Sequence, residues 1–444
     1  MAAAVTPAAL WAARRPTDWL LGYPPEQFAA LVQQQRRQLA QRPTAQPLLL
    51  LCESEPSLFL ATCWAAGLEG WDVAIANPAW QAREWQQASA QLRPDRCQGK
   101  VLKPGGSSLP PSPVSRLLIP TGGTSGRVRF VIHTWQTLAI AAQGFIDYFG
   151  SPPASAYCVL PLHHVSGLMQ ALRSWISGGQ LIVQPFRELQ LGKPLISPTS
   201  AWFISLVPTQ LQRLLAAAQA GWLAQFRAIL LGGAPAWPQL LQQAASLPVA
   251  LTYGMTETAA QIATLKPAAF RTGSRSSGQV LPHAQVDIQN EQGESLAAGQ
   301  IGQLAICSAA LAGGYVGQPI GRCFYPDDLG YFDRQGELHI VGRRSQKIIT
   351  GGENVFPAEV EAAIWATQQV SDVCVVGLPD PDWGQRVTAL YVPISATVTP
   401  STLAAALSGQ ISRYKQPKRW QAVAALPRNA QGKIDRQQIE KMLS

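Results

Sequence analysis

The chain has 444 residues, of which 47% are apolar and 14% charged, with 14 tryptophans and 35 prolines. This length exceeds what one hydrophobic core usually serves, so we expect at least two domains of a globular enzyme. The formal net charge of +9 is spread without a dense basic block. That charge suits small anionic ligands such as nucleotides and argues against nucleic acid as a partner. No apolar run reaches about eighteen residues, so we expect no membrane span.

Cysteine usage gives no sign of a metal centre or a disulfide framework. The seven cysteines stand at positions 52, 63, 97, 158, 307, 323 and 374, without a Cys-x-x-Cys pair. We therefore expect free thiols and a cytoplasmic location. The oligomeric state stays open, a homo-oligomer included.

From about Pro47 the pattern alternates between short apolar strands and helices. The predicted strands are Leu48–Cys52, Asp72–Ile75, Tyr157–Leu160, Gln180–Val183, Ala201–Val207 and Ala228–Leu231, and the predicted helices are Ser57–Ala66, Leu168–Ile176 and Thr209–Ala217. This alternation predicts βαβ units around a parallel sheet, with ligand contacts at the carboxyl ends of the strands.

After Gly278 the pattern becomes richer in short strands. Antiparallel strands are predicted at Val286–Gln289, Gly302–Ser308, Gly336–Val341 and Gln346–Thr350, then helices at Pro357–Ala366 and Thr402–Ile411 and strands at Val373–Gly377 and Val387–Val392. The fold class is therefore α/β. We expect a large N-terminal domain (1–345) of parallel and mixed sheets flanked by helices, with a β-rich subdomain. A small, mobile α+β C-terminal domain (346–444) should follow it.

Residues 120–129 read Pro-Thr-Gly-Gly-Thr-Ser-Gly-Arg-Val-Arg and follow an apolar strand. Glycines let backbone N–H groups turn inward, hydroxyls add donors, and arginines supply positive charge. No Gly-Lys-Ser/Thr follows at the spacing of a P-loop. The segment predicts a phosphate-binding loop, with an ordinary exposed turn as the alternative.

Five further segments follow in order, at 161–167, 232–235, 253–258, 328–353 and 429–433. Together with 121–129 they resemble the adenylate-forming superfamily, the acyl-CoA synthetases and their relatives, from about residue 47 to the C-terminus. The resemblance implies an acid–thiol ligase that uses ATP, Mg²⁺ and coenzyme A. A carboxylate is joined to AMP as a mixed anhydride and then transferred to a thiol.

The resemblance also implies a role for each matching residue. The implied ATP- and AMP-binding residues are Thr121, Gly122, Gly123, Thr124, Ser125, Gly126 and Arg129 at the phosphates, Gly232, Gly233, Ala234, Pro235, Tyr253 and Gly254 at adenine, and Asp328 and Arg343 at the ribose. The implied catalytic residues are Glu257, which would hold Mg²⁺, Thr256 at the α-phosphate, and Lys433 between the carboxylate and that phosphate. Gly351, Gly352 and Glu353 would line the channel for coenzyme A.

Plainer interpretations of these residues stay open. Asp328 can be a turn acid like Asp327 and Asp333, and Tyr253 a ring of the core. Glu257 can be a solvated helix cap, and Lys433 a solvated lysine.

The chain departs from the superfamily at two places. Val128, Arg129 and Phe130 replace the usual proline, lysine and glycine of the phosphate loop. Arginine keeps the charge and adds donors, so phosphate binding should survive. Gln346 stands where the hinge residue is usually Asp or Lys, which leaves the pivot open.

Further similarity within the superfamily indicates which carboxylic acid is activated. Residues 253–265, 207–215 and 351–357 resemble the o-succinylbenzoate–CoA ligases of menaquinone and phylloquinone biosynthesis, as does His164 followed by Arg173. The substrate-binding residues implied are His164, Arg173, Gly254, Met255 and Thr258. Arg173 lies in an apolar helix, where a cation costs free energy unless it is paired or binds an anion. It is a candidate for the ring carboxylate, and neutralising an internal acid is the alternative.

Other functions stay open as well. These are another aryl- or acyl-CoA synthetase, an adenylating module that loads a carrier protein, and a binding protein that has lost catalysis.

Overall fold

The computed structural model describes residues 5–14, 18–100, 102, 109–122, 127–150, 153–428 and 434–443. Within these residues no helix is long and apolar enough to cross a membrane.

The secondary structure alternates as the sequence predicts. The helices are α1 (Pro7–Ala12), α2 (Pro25–Leu39), α3 (Pro56–Leu68), α4 (Ala82–Gln91), α5 (Trp135–Phe149), α6 (Val165–Ser177), α7 (Phe186–Gln190), α8 (Pro208–Ala216), α9 (Ala220–Leu223), α10 (Pro238–Gln243), α11 (Pro267–Arg271), α12 (Pro357–Ala366), α13 (Pro400–Leu407) and α14 (Arg436–Leu443). The strands are β1 (Leu48–Leu51), β2 (Asp72–Ile75), β3 (Arg96–Gln98), β4 (Arg116–Gly122), β5 (Val128–Thr134), β6 (Ser155–Cys158), β7 (Leu181–Val183), β8 (Trp202–Leu206), β9 (Ala228–Leu231), β10 (Val249–Met255), β11 (Ala260–Thr264), β12 (Gln279–Val280), β13 (Ala284–Gln289), β14 (Gly302–Ser308), β15 (Gly314–Tyr315), β16 (Gln318–Pro319), β17 (Cys323–Phe324), β18 (Asp328–Phe332), β19 (Leu338–Arg343), β20 (Ile348–Thr350), β21 (Glu353–Val355), β22 (Val370–Asp380), β23 (Gly384–Pro393) and β24 (Arg419–Ala422).

The chain divides into two compact units. Unit 1 comprises Met1–Gly233, Leu247–Val286 and Ile306–Phe324. Unit 2 comprises Ala234–Ser246, Asp287–Ala305 and Tyr325–Ser444. The predicted boundary between 345 and 346 stays a prediction.

Unit 1 contains two seven-stranded sheets, of order β16-β15-β5-β4-β2-β1-β3 and β12-β11-β10-β9-β8-β6-β7. The strands β3, β1, β2 and β4 are parallel, and β5 returns antiparallel to β4. In the second sheet the parallel run from β7 to β10 ends in antiparallel β11 and β12. The predicted parallel and mixed sheets flanked by helices are confirmed.

Buried helices fill the core of unit 1. Helix α3 is apolar on nearly every side, which is typical of a helix surrounded by protein. Glu55 caps it by accepting from two backbone N–H groups, and Pro56 occupies its first turn. The N-terminal segment packs here too, since Trp19 donates through Nε1 to the Ser174 hydroxyl of α6 at 2.9 Å. This contact fixes the carboxyl end of the helix that carries Arg173.

Strands that follow β12 in the chain, other than β15 and β16, form two five-stranded sheets. Their orders are β13-β14-β18-β19, with β17 beside β14, and β21-β20-β23-β22, with β24 beside β23. The long β22–β23 hairpin supplies buried residues that form one core with residues of α12 and α13. The predicted α+β character of the C-terminal region is confirmed.

Two cysteines form a disulfide, and the expectation of free thiols is wrong for this pair. Cys307 of β14 lies directly opposite Cys323 of β17 in the antiparallel register, with the Cα atoms 4.3 Å apart. The other five cysteines are free. The pairing depends on strand register across 16 residues, for which the sequence carries no spacing motif.

Candidate active site

The described residues of the predicted phosphate loop lie at the end of β4 and the start of β5. Thr121 pairs with Arg129 across the β4–β5 hairpin. Val128 and Phe130 are buried, while Arg129 between them is half-buried. Because side chains alternate along a strand, the two apolar residues pack into the core and the arginine faces the other way. Gly123, Thr124, Ser125 and Gly126 lie outside the described residues.

A tyrosine connects the arginine of this hairpin to the predicted magnesium ligand. The Arg129 guanidinium lies 4.1 Å from the ring centroid of Tyr315. The Tyr315 hydroxyl donates to Glu257 Oε1 at 2.6 Å. Burial, together with the Glu257 carboxylate, raises the pKa of Tyr315, so the phenol stays a neutral donor. Sequence reasoning missed Tyr315, because only the pairing of β15 with β5 brings it here.

Glu257 fits the role of a magnesium ligand held together with nucleotide phosphates. Its side chain is buried, with 7% exposure, which rules out a solvated cap. In the described parts of the chain no group of three or more His, Cys, Asp and Glu could hold a metal ion. Magnesium is commonly held by one or two carboxylates plus substrate phosphates. A single buried carboxylate therefore suits a magnesium–nucleotide complex better than a metal ion alone.

The turn around Glu257 is tightly constrained. A Cβ on Gly254 would lie 1.8 Å from the Ala260 carbonyl oxygen, so only glycine fits there. Ala259 and Ala260 have φ of +54° and +83°, a region that costs a non-glycine residue about 1–3 kcal/mol. The Thr258 hydroxyl accepts from Met255 N at 3.2 Å and donates to the Ala260 carbonyl at 2.8 Å. This turn fixes the direction of Glu257.

His133 also contacts the turn around Glu257. Its ring is fully buried, and Nε2 lies 2.7 Å from the Thr256 carbonyl oxygen. Since a carbonyl only accepts, Nε2 carries the proton. Burial lowers the pKa of His133 to about 4, so the imidazole is neutral.

The predicted adenine-binding segment follows β9. A Cβ on Gly232 would lie 2.3 Å from Thr252 Oγ1, which explains a glycine at this strand end. Gly233 has φ of +81°. Ala234 and Pro235 follow in unit 2.

The predicted adenine-stacking residue is not a core ring. Tyr253 on β10 is half-buried, as a ring that stacks on a ligand would be. The interpretation of Tyr253 as part of the hydrophobic core is therefore not supported.

The predicted ribose-binding pair meets across two strands of unit 2. Asp328 of β18 is opposite Arg343 of β19, with Arg343 Nε 3.4 Å from Asp328 Oδ1. Asp327 instead accepts from Ser345 N at 3.1 Å, and Asp333 accepts from backbone N–H groups of its own turn. Asp327 thus holds the 3₁₀ helix after β19, and Asp333 holds its own turn and contacts His339 Nε2 at 2.8 Å, whereas Asp328 faces an arginine.

The predicted coenzyme A loop is a two-residue β-hairpin turn in unit 2. Gly351 and Gly352 connect β20 and β21 with φ of +58° and +82°. Hairpin turns with both central residues at positive φ strongly favour glycine. Glu353 is exposed, and a Cβ on Gly351 would lie 3.0 Å from the Trp383 ring. Its channel role stays a prediction.

Of the two other residues predicted to act in the C-terminal region, Lys433 and Gln346, the structure describes only Gln346. Lys433 lies outside the described residues. Gln346 ends a short 3₁₀ helix, Arg344–Gln346, directly after β19. Its role as the hinge stays a prediction.

Arg173 is a buried cation on α6, with 5% exposure. Its Cζ lies 4.2 Å from the Phe145 ring centroid, and its Nε has no hydrogen-bond partner. Burial lowers the pKa of Arg173 to about 9, which leaves it largely charged at neutral pH. None of the ion pairs among the described residues involves Arg173. The alternative of an internal acid partner is therefore not supported.

His164 precedes the same helix as its N-cap residue. Its ring lies 4.6 Å from that of His163 between centroids. Burial and the neighbouring His164 lower the pKa of His163 to about 3, so His163 is neutral. His164 and Arg173 thus belong to one helix of unit 1.

Two segments of the chain match models of known protein families. The model of AMP-binding enzymes matches residues 59–316, and that of the AMP-binding enzyme C-terminal domain matches residues 359–433. The chain belongs to the AMP-binding enzyme family. These models, together with the CoA-ligase relatives described next, confirm the prediction of an AMP-forming acid–thiol ligase, and such a ligase uses ATP, Mg²⁺ and coenzyme A.

Among AMP-binding enzymes, the chain is similar to ligases for one aromatic dicarboxylate. The 2-succinylbenzoate–CoA ligase of Enterococcus faecalis is 34% identical over 327 residues, which cover 71% of this chain and 67% of that protein. The one from Geobacillus sp. (strain WCH70) is 34% identical over 336 residues, covering 73% and 68%. 2-Succinylbenzoate is another name for o-succinylbenzoate.

Solved structures of AMP-binding enzymes share the fold. The o-succinylbenzoate CoA synthetase of Bacillus subtilis in complex with its acyl-adenylate intermediate matches with a TM-score of 0.82 at 23% identity. That match covers 97% of this chain and 96% of the other. The predicted fold class is confirmed, while the role of each site residue stays a prediction.

Proposed function

We propose that the protein is an ATP-dependent ligase that joins o-succinylbenzoate to coenzyme A, as a step of menaquinone or phylloquinone biosynthesis. The observation that carries the choice of acid is the buried guanidinium of Arg173, which has no acidic partner among the described residues. A buried charge without a counter-charge is strongly unfavourable. A substrate with a second carboxylate would supply that counter-charge.

The proposed chemistry has two steps. An oxygen of the succinyl carboxylate attacks the α-phosphorus of ATP, and pyrophosphate leaves. The thiol of coenzyme A then attacks the carbonyl carbon of the acyl-adenylate, and AMP leaves. Both steps depend on positioning and on positive charge that offsets the repulsion between anions.

The residues of unit 1 meet the needs of the first step. Thr121 and Arg129 stand at the base of the phosphate hairpin, and Glu257 would hold the magnesium ion against the phosphates. The ion supplies positive charge to the polyphosphate. Tyr315 keeps the Glu257 carboxylate in one direction, so less reorganisation is needed when the nucleotide binds.

Nucleoside recognition would use an aromatic ring for the base and a carboxylate for the ribose. Tyr253 would lie against adenine, whose amino edge would face residues 232–235. Asp328 would accept hydrogen bonds from the ribose hydroxyls, with Arg343 holding that carboxylate.

The acid would lie along α6. His164, Gly254 and Met255 would line the reacting end, with Thr258 buried behind them in the turn, and Arg173 would receive the ring carboxylate. Arginine can bind a carboxylate through two parallel hydrogen bonds, which favours a dicarboxylate over a plain fatty or benzoic acid.

Movement of the C-terminal domain would separate the two steps. Lys433 would bridge the carboxylate and the α-phosphate during adenylation. Rotation near Gln346 would then replace it by the Gly351–Gly352 turn, which would line the path of the coenzyme A arm. The proposed domain therefore spans 346–444. A cytoplasmic location stays a prediction.

ATP–pyrophosphate exchange with a panel of acids tests this function. o-Succinylbenzoate should give the highest kcat/KM when compared with benzoate, succinate and octanoate. Transfer to free coenzyme A should follow without a carrier protein. A preference for benzoate or octanoate would overturn the assignment of the acid, and product release only onto a carrier protein would overturn the assignment of the thiol.

A further inference from the structure

Three buried polar side chains and the half-buried His283 form a cluster around Arg173 that the proposed chemistry does not yet explain. We call Gln170, Arg173, Gln261 and His283 the buried polar cluster. Five of its atoms are shielded from solvent and have no hydrogen-bond partner: Gln170 Oε1, Arg173 Nε, Gln261 Oε1, and both ring nitrogens of His283. Each such atom costs about 1–3 kcal/mol. Such atoms are satisfied by a bound ligand or by ordered water.

Helix α5 brings the cluster together. His283 Nδ1 lies only 2.0 Å from where a Cβ on Gly144 would be, so the imidazole packs directly on the helix backbone. The next residue, Phe145, carries the Arg173 guanidinium on its ring. His283 and Arg173 therefore pack on adjacent residues of one helix.

Helix α6 and strand β11 complete the cluster. Gln170 is three residues before Arg173, so the two share one face of α6. The backbone of Gln261 in β11 interacts with the His283 imidazole and raises its pKa, although neither ring nitrogen reaches the geometry of a full hydrogen bond. Of the five atoms, Arg173 Nε–H and one ring N–H of His283 are donors that a carboxylate can accept from, whereas the two glutamine Oε1 atoms are acceptors.

We infer that His283 is a second anion-binding group, which acts with Arg173 to recognise the second carboxylate of the dicarboxylic substrate. This inference rests on the proposed function and names the group that adds specificity at the same site. A neutral imidazole donates one hydrogen bond, and a protonated one adds a positive charge. The guanidinium and the imidazole together provide more donors than either provides alone.

The charge state of His283 should depend on the ligand. Burial, and secondarily the Arg173 cation, lower the pKa of His283 to about 4, so it is neutral in the protein without substrate. Arg173 on α6 is the charged group of the described residues that acts on it. On α5 and β11 the packed residues are Gly144, Phe145 and Gln261, which do not titrate. A bound carboxylate would offset Arg173 and raise the pKa of His283, so binding should take up a proton.

Three variants test the role of the donor. His283→Leu removes it, His283→Gln keeps a donor, and His339→Gln is the matched control in unit 2. We expect His283→Leu to raise KM for o-succinylbenzoate by about tenfold or more, since hydrogen bonds to charged groups are strong. kcat should change little, and His283→Gln should restore part of the loss. The analogue 4-oxo-4-phenylbutanoate, which lacks the ring carboxylate, should respond to none of these changes.

Titration calorimetry of the unmodified protein tests proton uptake without a variant. Binding enthalpies of o-succinylbenzoate at pH 6.5, measured in buffers of different ionisation enthalpy, should show net uptake of protons. The uptake should be absent with 4-oxo-4-phenylbutanoate.

The two proposals fail in different ways. If the wild type adenylates o-succinylbenzoate, yet its binding takes up no proton and His283→Leu has an unchanged KM, the role of His283 is overturned and the proposed function stands. If the wild type does not adenylate o-succinylbenzoate, the proposed function itself is overturned.

Discussion

The hydroxyl of Tyr315 donates a hydrogen bond of 2.6 Å to the carboxylate of Glu257, from a position 58 residues further along the chain. The same tyrosine ring carries the guanidinium of Arg129 on its face. A neutral donor therefore orients the predicted magnesium ligand, while the cation of the phosphate hairpin is held close by. This arrangement makes Tyr315 a positioning residue for Glu257.

Replacing Tyr315 by phenylalanine should weaken adenylation by about tenfold or more in kcat/KM for ATP. A hydrogen bond to a charged group contributes about 1.5–3 kcal/mol, and without it the carboxylate loses its fixed direction. The dependence on magnesium concentration should shift upward at the same time. Tyr331→Phe is the control, because Tyr331 stacks on His339 in unit 2. If Tyr315→Phe had the same dependence on magnesium concentration as the wild type, the role of Tyr315 in orienting Glu257 would be contradicted.

Lys433→Ala should separate the two half-reactions. Removal of a charge placed on the α-phosphate should cost adenylation several orders of magnitude, on the order of 3–5 kcal/mol. Transfer of a preformed o-succinylbenzoyl-adenylate to coenzyme A should stay nearly normal. Both half-reactions are measured separately, with the exposed Lys441→Ala as the control. Equal loss in both would contradict domain alternation.

Much of the fold could be predicted from the sequence, because local patterns are enough for strands and helices. Strands β2 and β9 and helix α12 begin and end where the sequence predicts. Helix α5 was not predicted, although its residues line the buried polar cluster. Its local signals are nevertheless present in the sequence, since Thr134 caps its first turn and Gly150 ends it in the left-handed conformation.

The residues of the candidate site also differ in whether local sequence reveals them. Glu257 and Arg173 are recognisable in sequence, the first from its motif and the second as a lone cation in an apolar helix. Tyr315 and His283 are not, since each reaches the site through contacts with distant segments. A Gly-Tyr pair and a histidine after proline carry no local signal of such a role.

The Cys307–Cys323 disulfide should limit the number of reactive thiols and raise the free energy of unfolding. Of the seven cysteines, five are free, so the denatured, unreduced protein should react with five equivalents of a thiol reagent. Cross-linking across 16 residues should stabilise the fold by about 3 kcal/mol through restriction of the unfolded chain. Urea unfolding of the Cys307→Ser, Cys323→Ser double variant measures this difference. Seven reactive thiols in the wild type would show that the pair is reduced.

Buried histidines should make the protein less stable at mildly acidic pH. The pKa of His133 is about 4 in the folded protein, below its ordinary value of 6.5. Between these values the unfolded chain binds a proton that the folded chain does not, so stability falls as pH drops from about 6.5 to 4. His133 alone should account for on the order of 3 kcal/mol. The unfolding free energy, measured with urea across this pH range, should change less steeply with pH in His133→Gln than in the wild type. An equally steep change in both would contradict the depressed pKa of His133.

We expect the buried cation of Arg173 to select an acid with a second carboxylate. The most direct measurement is the ratio of kcat/KM for o-succinylbenzoate to that for 4-oxo-4-phenylbutanoate, in the wild type, Arg173→Gln and the control Arg227→Gln. Arg227 also stacks on an aromatic ring, that of Phe203. We predict that Arg173→Gln lowers the ratio by about tenfold or more, while Arg227→Gln leaves it unchanged. A ratio that is the same in the wild type and Arg173→Gln would contradict the account.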